Sequence, residues 1–181
     1  MRKKVLVVGA SGLVGTAAAI SFARAGWSVV AASRRYPQLL DDANIEFVAM
    51  DLQDKGACAE ICQKLTGITH LVYTAVYELP GLVDGWSNPN QIRTNGKMLE
   101  NLLVSLTHSN QLQHVTVLQG TKAYGAMVGP MRVPARESQP RVEHPNFYWV
   151  QEDFLRDHAK SHGYTFTILR PQMIVGPNHG V

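Results

Sequence analysis

Short apolar runs alternate with longer segments of helical character along the chain. Val5-Leu6-Val7-Val8 is rich in β-branched residues and is followed by glycine, which is typical of a strand buried on both faces. Similar runs predict further strands over 29–33, 45–49, 70–74, 115–118 and 165–169. Helical spacing, capping residues and terminal glycines predict helices over 12–25, 54–65, 91–108 and 147–162.

The order of these elements predicts an α/β fold. Strands that alternate with helices form βαβ units, in which the strands are parallel. Right-handed crossovers then favour a doubly wound Rossmann-type sheet with helices on both faces and strand order 3-2-1-4-5-6. Residues 78–90 and 125–145 are long loops with several prolines and glycines, and both follow strands. We therefore expect them at the carboxyl edge of the sheet, where ligands bind.

The composition narrows the class of protein. Of the 181 residues, 45% are apolar and only 17% are charged, which indicates a sizeable core and excludes a disordered chain. The length favours one domain over 1–181. The net charge is +3, but the basic residues are scattered, so no nucleic-acid-binding face is expected.

The cysteines and apolar runs bear on location. Cys58 and Cys62 are too few for a disulfide framework and indicate reduced thiols. No apolar run reaches the roughly 20 residues of a membrane span, and the basic start leads into a strand rather than a signal-peptide core. We therefore expect a soluble, cytoplasmic protein. His158 and His162 lie four residues apart without a glutamate base beside them, so no metal site is predicted.

A glycine-rich turn follows the first predicted strand. Gly9 permits a tight turn, Gly12 lets the backbone approach a pyrophosphate, and Gly15 lets helix and strand pack closely. Phosphates would bind at the N-terminus of the following helix. A turn that binds nothing is the alternative. The predicted phosphate site comprises Gly9, Ser11, Gly12, Leu13, Val14 and Gly15.

The end of the second strand indicates which dinucleotide binds. NAD-binding domains place an acidic residue about 20 positions after the glycines, to hold the ribose hydroxyls. Here the sequence is Ser33-Arg34-Arg35, and guanidinium groups bind a 2′-phosphate that a carboxylate would repel. The sequence therefore favours NADP(H) over NAD(H), with two ordinary surface arginines as the alternative.

Two further strand ends are placed to meet the cofactor. Asp51 and Leu52 follow the third strand, near the expected position of the adenine ring, although Asp51 could equally form a turn. Thr74 and Ala75 end the fourth strand and would line the nicotinamide pocket, although the end of a buried strand would explain them equally well.

Ser11, the six strands and the Gly-x-x-Gly-x-x-Gly spacing resemble the extended short-chain dehydrogenase/reductases. That superfamily normally carries Tyr-x-x-x-Lys, and no tyrosine of this chain has a lysine four residues later. The residues 120–124, Gly-Thr-Lys-Ala-Tyr, and 145–153, which include Asn-Phe-Tyr-Trp, instead resemble motifs of the progesterone 5β-reductase/iridoid synthase-like family. Further matches include Asn95 and Arg170-Pro171, so the resemblance covers nearly the whole chain.

The resemblance implies an NADPH-dependent reductase whose catalytic pair is Lys122 and Tyr148, both also in contact with the cofactor. Ala123 and Trp149 depart from the family, which commonly has histidine and tyrosine there. Family members also continue into a C-terminal portion that walls in the substrate. We therefore expect residues 1–181 to be the NADP(H)-binding domain, with a C-terminal substrate lobe absent.

The reaction that the resemblance implies is reduction of a C=C bond conjugated to a carbonyl. Tyr148 would donate to the developing enolate oxygen. Lys122 would supply positive potential, favour a more acidic phenol and help hold the nicotinamide ribose. The alternatives are a core aromatic and a solvated lysine, which would leave a non-catalytic NADP(H)-binding module. An extended-type epimerase or dehydratase is disfavoured by the missing Tyr-x-x-x-Lys. The expected partner is a small-molecule enone, and a homodimer is left open.

Overall fold

Six parallel strands form a single sheet in the computed structural model, which describes residues 3–37, 44–81 and 84–177. Along these residues the elements are β1 (Lys4–Val8), α1 (Leu13–Arg24), β2 (Ser28–Ser33), β3 (Ile45–Ala49), α2 (Lys55–Lys64), β4 (His70–Tyr73), α3 (Asp84–Ser87), α4 (Pro89–Ser109), β5 (His114–Leu118), a 3₁₀ turn (Thr121–Tyr124), α5 (Phe147–His162) and β6 (Thr165–Leu169).

The strand order is β3-β2-β1-β4-β5-β6, which confirms the predicted doubly wound Rossmann-type topology. The strand β1 lies between β2 and β4, with Val8 opposite both Ala32 and Tyr73. The chain therefore builds the sheet outward in one direction from β1 and then returns to build in the other. Ligands bind at this switch point in open α/β sheets, so the end of β1 is where a site is expected.

Helices cover both faces of the sheet at β1, and the side chains of β1 alternate between the two faces. Val5 and Val7 of β1 pack with Ala19 of α1 on one face. Leu6 and Val8 point the other way, into a larger core that receives side chains from α2, α4 and α5. A strand buried on both faces must be apolar at every position, which is the pattern that β1 shows.

The described residues of the segment 78–90 contain more helix than the sequence predicts. It contains the short helix α3, and α4 begins at Pro89 rather than at residue 91. Proline is favoured as the first helical residue because its missing N–H would have no partner there. Asn88 caps the helix by accepting from the N–H of Asn90 at 2.8 Å. By contrast, the long segment 125–145 carries neither helix nor strand, as predicted.

A close approach sets the spacing of α4 and α5. A Cβ built on Gly96 would lie 2.7 Å from Cγ1 of Val150, so only glycine fits there without movement. The Gln151 side chain donates to the backbone oxygen of Asn95 at 3.1 Å across the same contact. The two helices therefore meet where the Gly96 backbone lies against the Val150 side chain, and a buried hydrogen bond joins them.

Several other expectations can be compared with the described residues. Cys58 and Cys62 are buried free thiols on α2, as expected for reduced cysteines. No helix within 3–37, 44–81 and 84–177 combines the length and apolar character that crossing a bilayer needs. Nδ1 of His158 lies 2.9 Å from the hydroxyl of Tyr164, and its ring stacks on that of His162.

Substituting Gly15 with alanine is expected to destabilise the fold by about 2 kcal/mol, because the new Cβ would lie 2.2 Å from the Gly9 carbonyl oxygen and backbone cannot yield cheaply. Gly56→Ala is the matched control, since its Cβ would meet only Asp54 at 3.5 Å and alanine favours helix by roughly 0.5–1 kcal/mol. Urea denaturation measures both variants. Equal stabilities would contradict the close approach.

Candidate functional site

The turn after β1 has a conformation and surroundings that require glycine. Gly9 has φ of +88°, in the left-handed region. A Cβ there would lie 2.6 Å from Thr74 Oγ1 and 2.7 Å from the Ala75 nitrogen. The Gly9 N–H donates to the Ala32 oxygen at 2.9 Å, and the Thr74 hydroxyl donates to the Val8 oxygen at 2.9 Å. The turn is thus fixed between the ends of β2 and β4.

The N-terminus of α1 is suited to an anion. Gly12 is its N-cap and offers no side-chain cap, and no acidic residue lies in the first turn. The exposed helix amides and the helix dipole favour negative charge at this end. Gly15 packs against the Gly9 backbone, as predicted for the third glycine. The residues present therefore fit a bound pyrophosphate.

A cavity of about 310 Å³ opens at the carboxyl ends of β1 to β4. The predicted cofactor residues that line it are Gly9, Ser11, Gly12, Ser33, Arg34, Arg35, Asp51, Leu52, Thr74 and Ala75. Leu13, Val14 and Gly15 lie in the first turn of α1, outside the lining, and their contact with a cofactor stays a prediction. Sequence reasoning did not assign Gln53, Val76, Tyr77, Glu78 or Met98, which also line the cavity.

The arginines at the end of β2 face this cavity from an exposed position. The buried Ser33 donates its hydroxyl to the Arg35 carbonyl at 2.6 Å and so fixes the start of this loop. Across the cavity, Asp51 accepts from the Gln53 N–H at 3.0 Å. Asp51 therefore forms a turn, the alternative left open above, while also lining the cavity.

The loop that follows β4 is fixed to α4 by two buried amides. Asn95 accepts from the Tyr77 N–H at 2.8 Å and donates to the Tyr77 carbonyl at 2.7 Å. Gln91 accepts from the Leu79 N–H at 2.7 Å. Both side chains are fully buried. Glu78 lies between these two anchored residues, so its position on the cavity wall is held from both sides.

Lys122 and Tyr148 do not line the cavity, but the fold brings them to the same tryptophan beside it. The Lys122 ammonium lies 3.1 Å from the centre of the Trp86 ring. The Tyr148 ring meets the Trp86 ring edge-on, with centroids 5.4 Å apart. The Trp86 Nε1–H donates to Glu78 of the cavity wall at 3.1 Å. The candidate catalytic pair is thus adjacent to the predicted cofactor site.

One buried asparagine joins the backbones that carry the candidate pair. Asn146 caps α5 by accepting from the Tyr148 N–H at 3.0 Å, and it donates to the Lys122 carbonyl at 3.3 Å. Gln119, at the end of β5, donates to the Tyr148 carbonyl at 3.1 Å. The Asn-Phe-Tyr motif therefore has a structural reason, since its first residue fixes the lysine segment relative to the tyrosine.

The protonation of the pair is set by burial and by Glu78. Burial raises the pKa of Tyr148 well above its ordinary value, and the Glu78 charge raises it further. Burial lowers the pKa of Lys122, and Glu78 opposes that effect. The expectation of a more acidic phenol is therefore wrong: the environment of Tyr148 keeps the hydroxyl protonated.

A buried carboxylate holds α5 against β6 and against the loop before the helix. Glu152 accepts from Arg156 and from Arg170, each at 2.7 Å, and its side chain is 5% exposed. Arg141 of the long loop lies 3.4 Å from Glu152 and 2.6 Å from Asp153. Burial acts to raise the pKa of Glu152, but the three arginines hold it below its ordinary value.

The glycine turn, the N-terminus of α1 without a side-chain cap and the cavity at the switch point are the features of an α/β dinucleotide-binding domain. Residues 5–181 match the NAD dependent epimerase/dehydratase family, and the chain belongs to that family. Two solved structures are similar to this chain over most or all of its length. The enzyme WbmH of Bordetella bronchiseptica, solved with NAD+, is 25% identical, with TM-score 0.75 over 100% of this chain and 60% of that one. UDP-glucose 4-epimerase of Brucella ovis, also solved with NAD, is 23% identical, with TM-score 0.75 over 93% and 51%, and supports the fold alone.

Curated relatives include two plant enzymes. The (S)-8-oxocitronellyl enol synthase of Catharanthus roseus is 30% identical over 94% of this chain and 45% of its own length. The 3-oxo-Delta(4,5)-steroid 5-beta-reductase of Arabidopsis thaliana is 30% identical over 94% of this chain and 46% of its own length. The chain thus spans less than half the length of these relatives. Their names match the family to which the motifs around Lys122 and Tyr148 point.

Replacing Glu152 with glutamine is expected to lower the free energy of unfolding at pH 7 by about 2 kcal/mol, because three guanidinium groups lose their shared anion. The pKa of Glu152 in the folded protein lies below its ordinary value of 4.5, so this stabilisation is present above about pH 4.5 and is lost as the pH falls through the folded pKa.

Chemical denaturation between pH 7 and pH 3 checks this expectation. The glutamine variant should lose that part of the acid dependence, while Glu100→Gln, which breaks an exposed pair with Lys97, should behave like wild type. An unchanged acid dependence in Glu152→Gln would show that the carboxylate is not held by the arginines.

Proposed function

We propose that this chain supplies the nucleotide-binding part of an NADPH-dependent reductase that reduces a C=C bond conjugated to a carbonyl. The observation that carries the proposal is the meeting of Lys122 and Tyr148 on Trp86, whose indole is bonded to Glu78 of the cavity wall. The names of the two plant relatives, an enol synthase and a Δ4,5-steroid reductase, support the same reaction type.

The choice of NADP(H) rests on charge at the end of β2. Arg34 and Arg35 line the cavity at the position where NAD-binding domains place an acidic residue. Guanidinium groups bind a phosphate with paired, charge-assisted hydrogen bonds. A 2′-phosphate on the adenosine ribose is therefore the group that this end of the cavity would select.

Tyr148 would act as a neutral hydrogen-bond donor. A bound NADPH would supply the hydride that adds to the β-carbon of the enone, and it would be oxidised to NADP+. Negative charge then develops on the carbonyl oxygen, and a protonated phenol aimed at that oxygen stabilises the transition state more than the ground state. The raised pKa of Tyr148 suits a donor that keeps its own proton. A solvent proton taken up at the α-carbon completes the saturated carbonyl product.

Lys122 would supply positive potential on the same side. Its ammonium favours the developing enolate through a short-range electrostatic attraction that is strong in a poorly solvated site. Asn146 holds its backbone in fixed relation to Tyr148, so donor and cation would reach one substrate oxygen together. Contact of either residue with the nicotinamide ribose is part of the proposal.

Replacing Arg34 and Arg35 together with alanine is expected to weaken NADPH binding by about tenfold to a hundredfold, because the 2′-phosphate loses its partners. NADH binding should change by less than about threefold. Titration calorimetry with both nucleotides measures the two affinities, and Arg24→Ala at the end of α1 is the control. Equal losses for NADPH and NADH would refute the proposed cofactor preference.

Tyr148→Phe and Lys122→Ala are each expected to slow enone reduction about a hundredfold, since each removes one group that stabilises the enolate. NADPH absorbance with a panel of cyclic and linear enones measures the rate. NADPH affinity should fall by less than about tenfold, because one ribose contact is lost while the phosphate contacts are unchanged. Tyr124→Phe, in the same 3₁₀ turn as Lys122, is the matched control. Tight NADPH binding with no turnover on any enone would instead favour a non-catalytic NADP(H)-binding module.

A further inference from the structure

Trp86 stands between Glu78 and Lys122, and nothing in the proposed chemistry uses it. Its ring face lies under the Lys122 ammonium at 3.1 Å, and its Nε1–H donates to Glu78 at 3.1 Å. A cation over an indole face is attracted by the negative face of the ring, and more so where water is excluded. The ring face and the N–H group of Trp86 therefore each have a partner inside the protein.

The backbone that carries the exposed Glu78 carboxylate is anchored on both sides. Glu78 follows Tyr77 and precedes Leu79, and the backbones of both are bonded to buried amides of α4. The helix that carries Trp86 also approaches α4 closely, since a Cβ on Gly85 would lie 2.9 Å from Gln91 Oε1. Glu78 and Trp86 are thus both held against the same helix.

Trp86 is not available as a wall for substrate. Its side chain is buried, with 8% of the residue exposed. It is covered by Lys122, by the Phe147 ring at a centroid distance of 4.7 Å and by the Tyr148 ring at 5.4 Å. A ligand could stack on the indole only by displacing one of these groups. The contacts of Trp86 are therefore internal, and its effect must pass through the residues that it touches.

We infer that Glu78 and Trp86 form a positioning pair for Lys122: the carboxylate orients the indole, and the indole face orients the ammonium. This inference rests on the proposed function, since it gives Lys122 its catalytic placement. Glu78 also lines the cofactor cavity, so the pair links the cavity wall to the lysine. Among the described residues, the charged group that acts electrostatically on Lys122 is Glu78.

The direct test is competitive labelling of Lys122 with acetic anhydride at pH 8, read by mass spectrometry relative to the exposed Lys97. The reagent attacks accessible amines, so removing the ring that covers the Lys122 ammonium should raise Lys122 labelling. We expect roughly a fivefold increase in Trp86→Leu and a smaller one in Glu78→Ala. Trp86→Phe keeps an aromatic face and should restore labelling to within about twofold of wild type.

A control separates positioning from general loosening. Phe147→Leu removes a ring from the same buried cluster but leaves the indole face and Glu78 intact. It should leave Lys122 labelling within about twofold of wild type. Trp27→Leu calibrates the method, because Lys3 lies over that ring at 5.0 Å and only its own labelling should rise. An equal rise of Lys122 labelling in Phe147→Leu would overturn the inference.

The kinetic arm uses the same variants in the enone assay. Trp86→Leu should lower kcat about tenfold with NADPH affinity unchanged, and Trp86→Phe should recover most of it. If wild type reduces enones and Trp86→Leu changes neither labelling nor kcat, the positioning pair is overturned while the reductase stands. If labelling responds as expected but wild type reduces no enone, the pair stands and the proposed function fails.

Discussion

The absence of a side chain at Gly9 and Gly15 is the constraint on which the rest of the site depends. The Gly9 backbone lies against Thr74 and Ala75 on one side and against Gly15 on the other, at distances that no Cβ can share. This contact brings the end of β1, the end of β4 and the start of α1 to one point. The N-cap of α1, Gly12, consequently lines the cavity, and the loop after β4 lines it as well. A wider turn would separate the phosphate end from that loop.

A second set of contacts places the candidate chemistry beside that cavity. Asn146 and Gln119 hold the start of α5, and Glu152 with its three arginines holds the next turn of the helix. Asn146, Gln119 and Glu152 are polar and buried, so each depends on its partners to offset the cost of leaving water. The backbones that carry the Tyr148 phenol and the Lys122 ammonium are thereby fixed by contacts that these two side chains do not make. The two parts of the site meet at Glu78, which lines the cavity and bonds to Trp86.

The sequence predicted the sheet well because the burial of its central strands is reflected in the residues that they contain. Val5 to Val8 is apolar at every position, and only a strand covered on both faces requires that. The glycine turn was predicted equally well, since the spacing of the three glycines agrees with their place between a strand and a helix. The motifs that the chain shares with the reductase family also pointed to Lys122 and Tyr148, which the fold brings onto one tryptophan.

What the sequence could not supply were properties that arise from contacts between distant segments. Glu78 and Trp86 lie in a segment read as loop, and neither belongs to a pattern that would single it out. The start of α4 at Pro89 was missed because proline was read as a loop residue rather than as a first helical residue. The acidity of Tyr148 was misjudged because it depends on burial and on Glu78, seventy positions earlier.

The close approach of α4 and α5 at Gly96 connects the two parts of the site. Asn95, the residue before Gly96, anchors the cavity wall through its hydrogen bond with Tyr77. Val150, which contacts Gly96, lies two residues after Tyr148. A larger residue at position 96 would have to displace the Val150 side chain. A substitution on α4 would therefore act both on the wall segment that Asn95 anchors and on the first turns of α5.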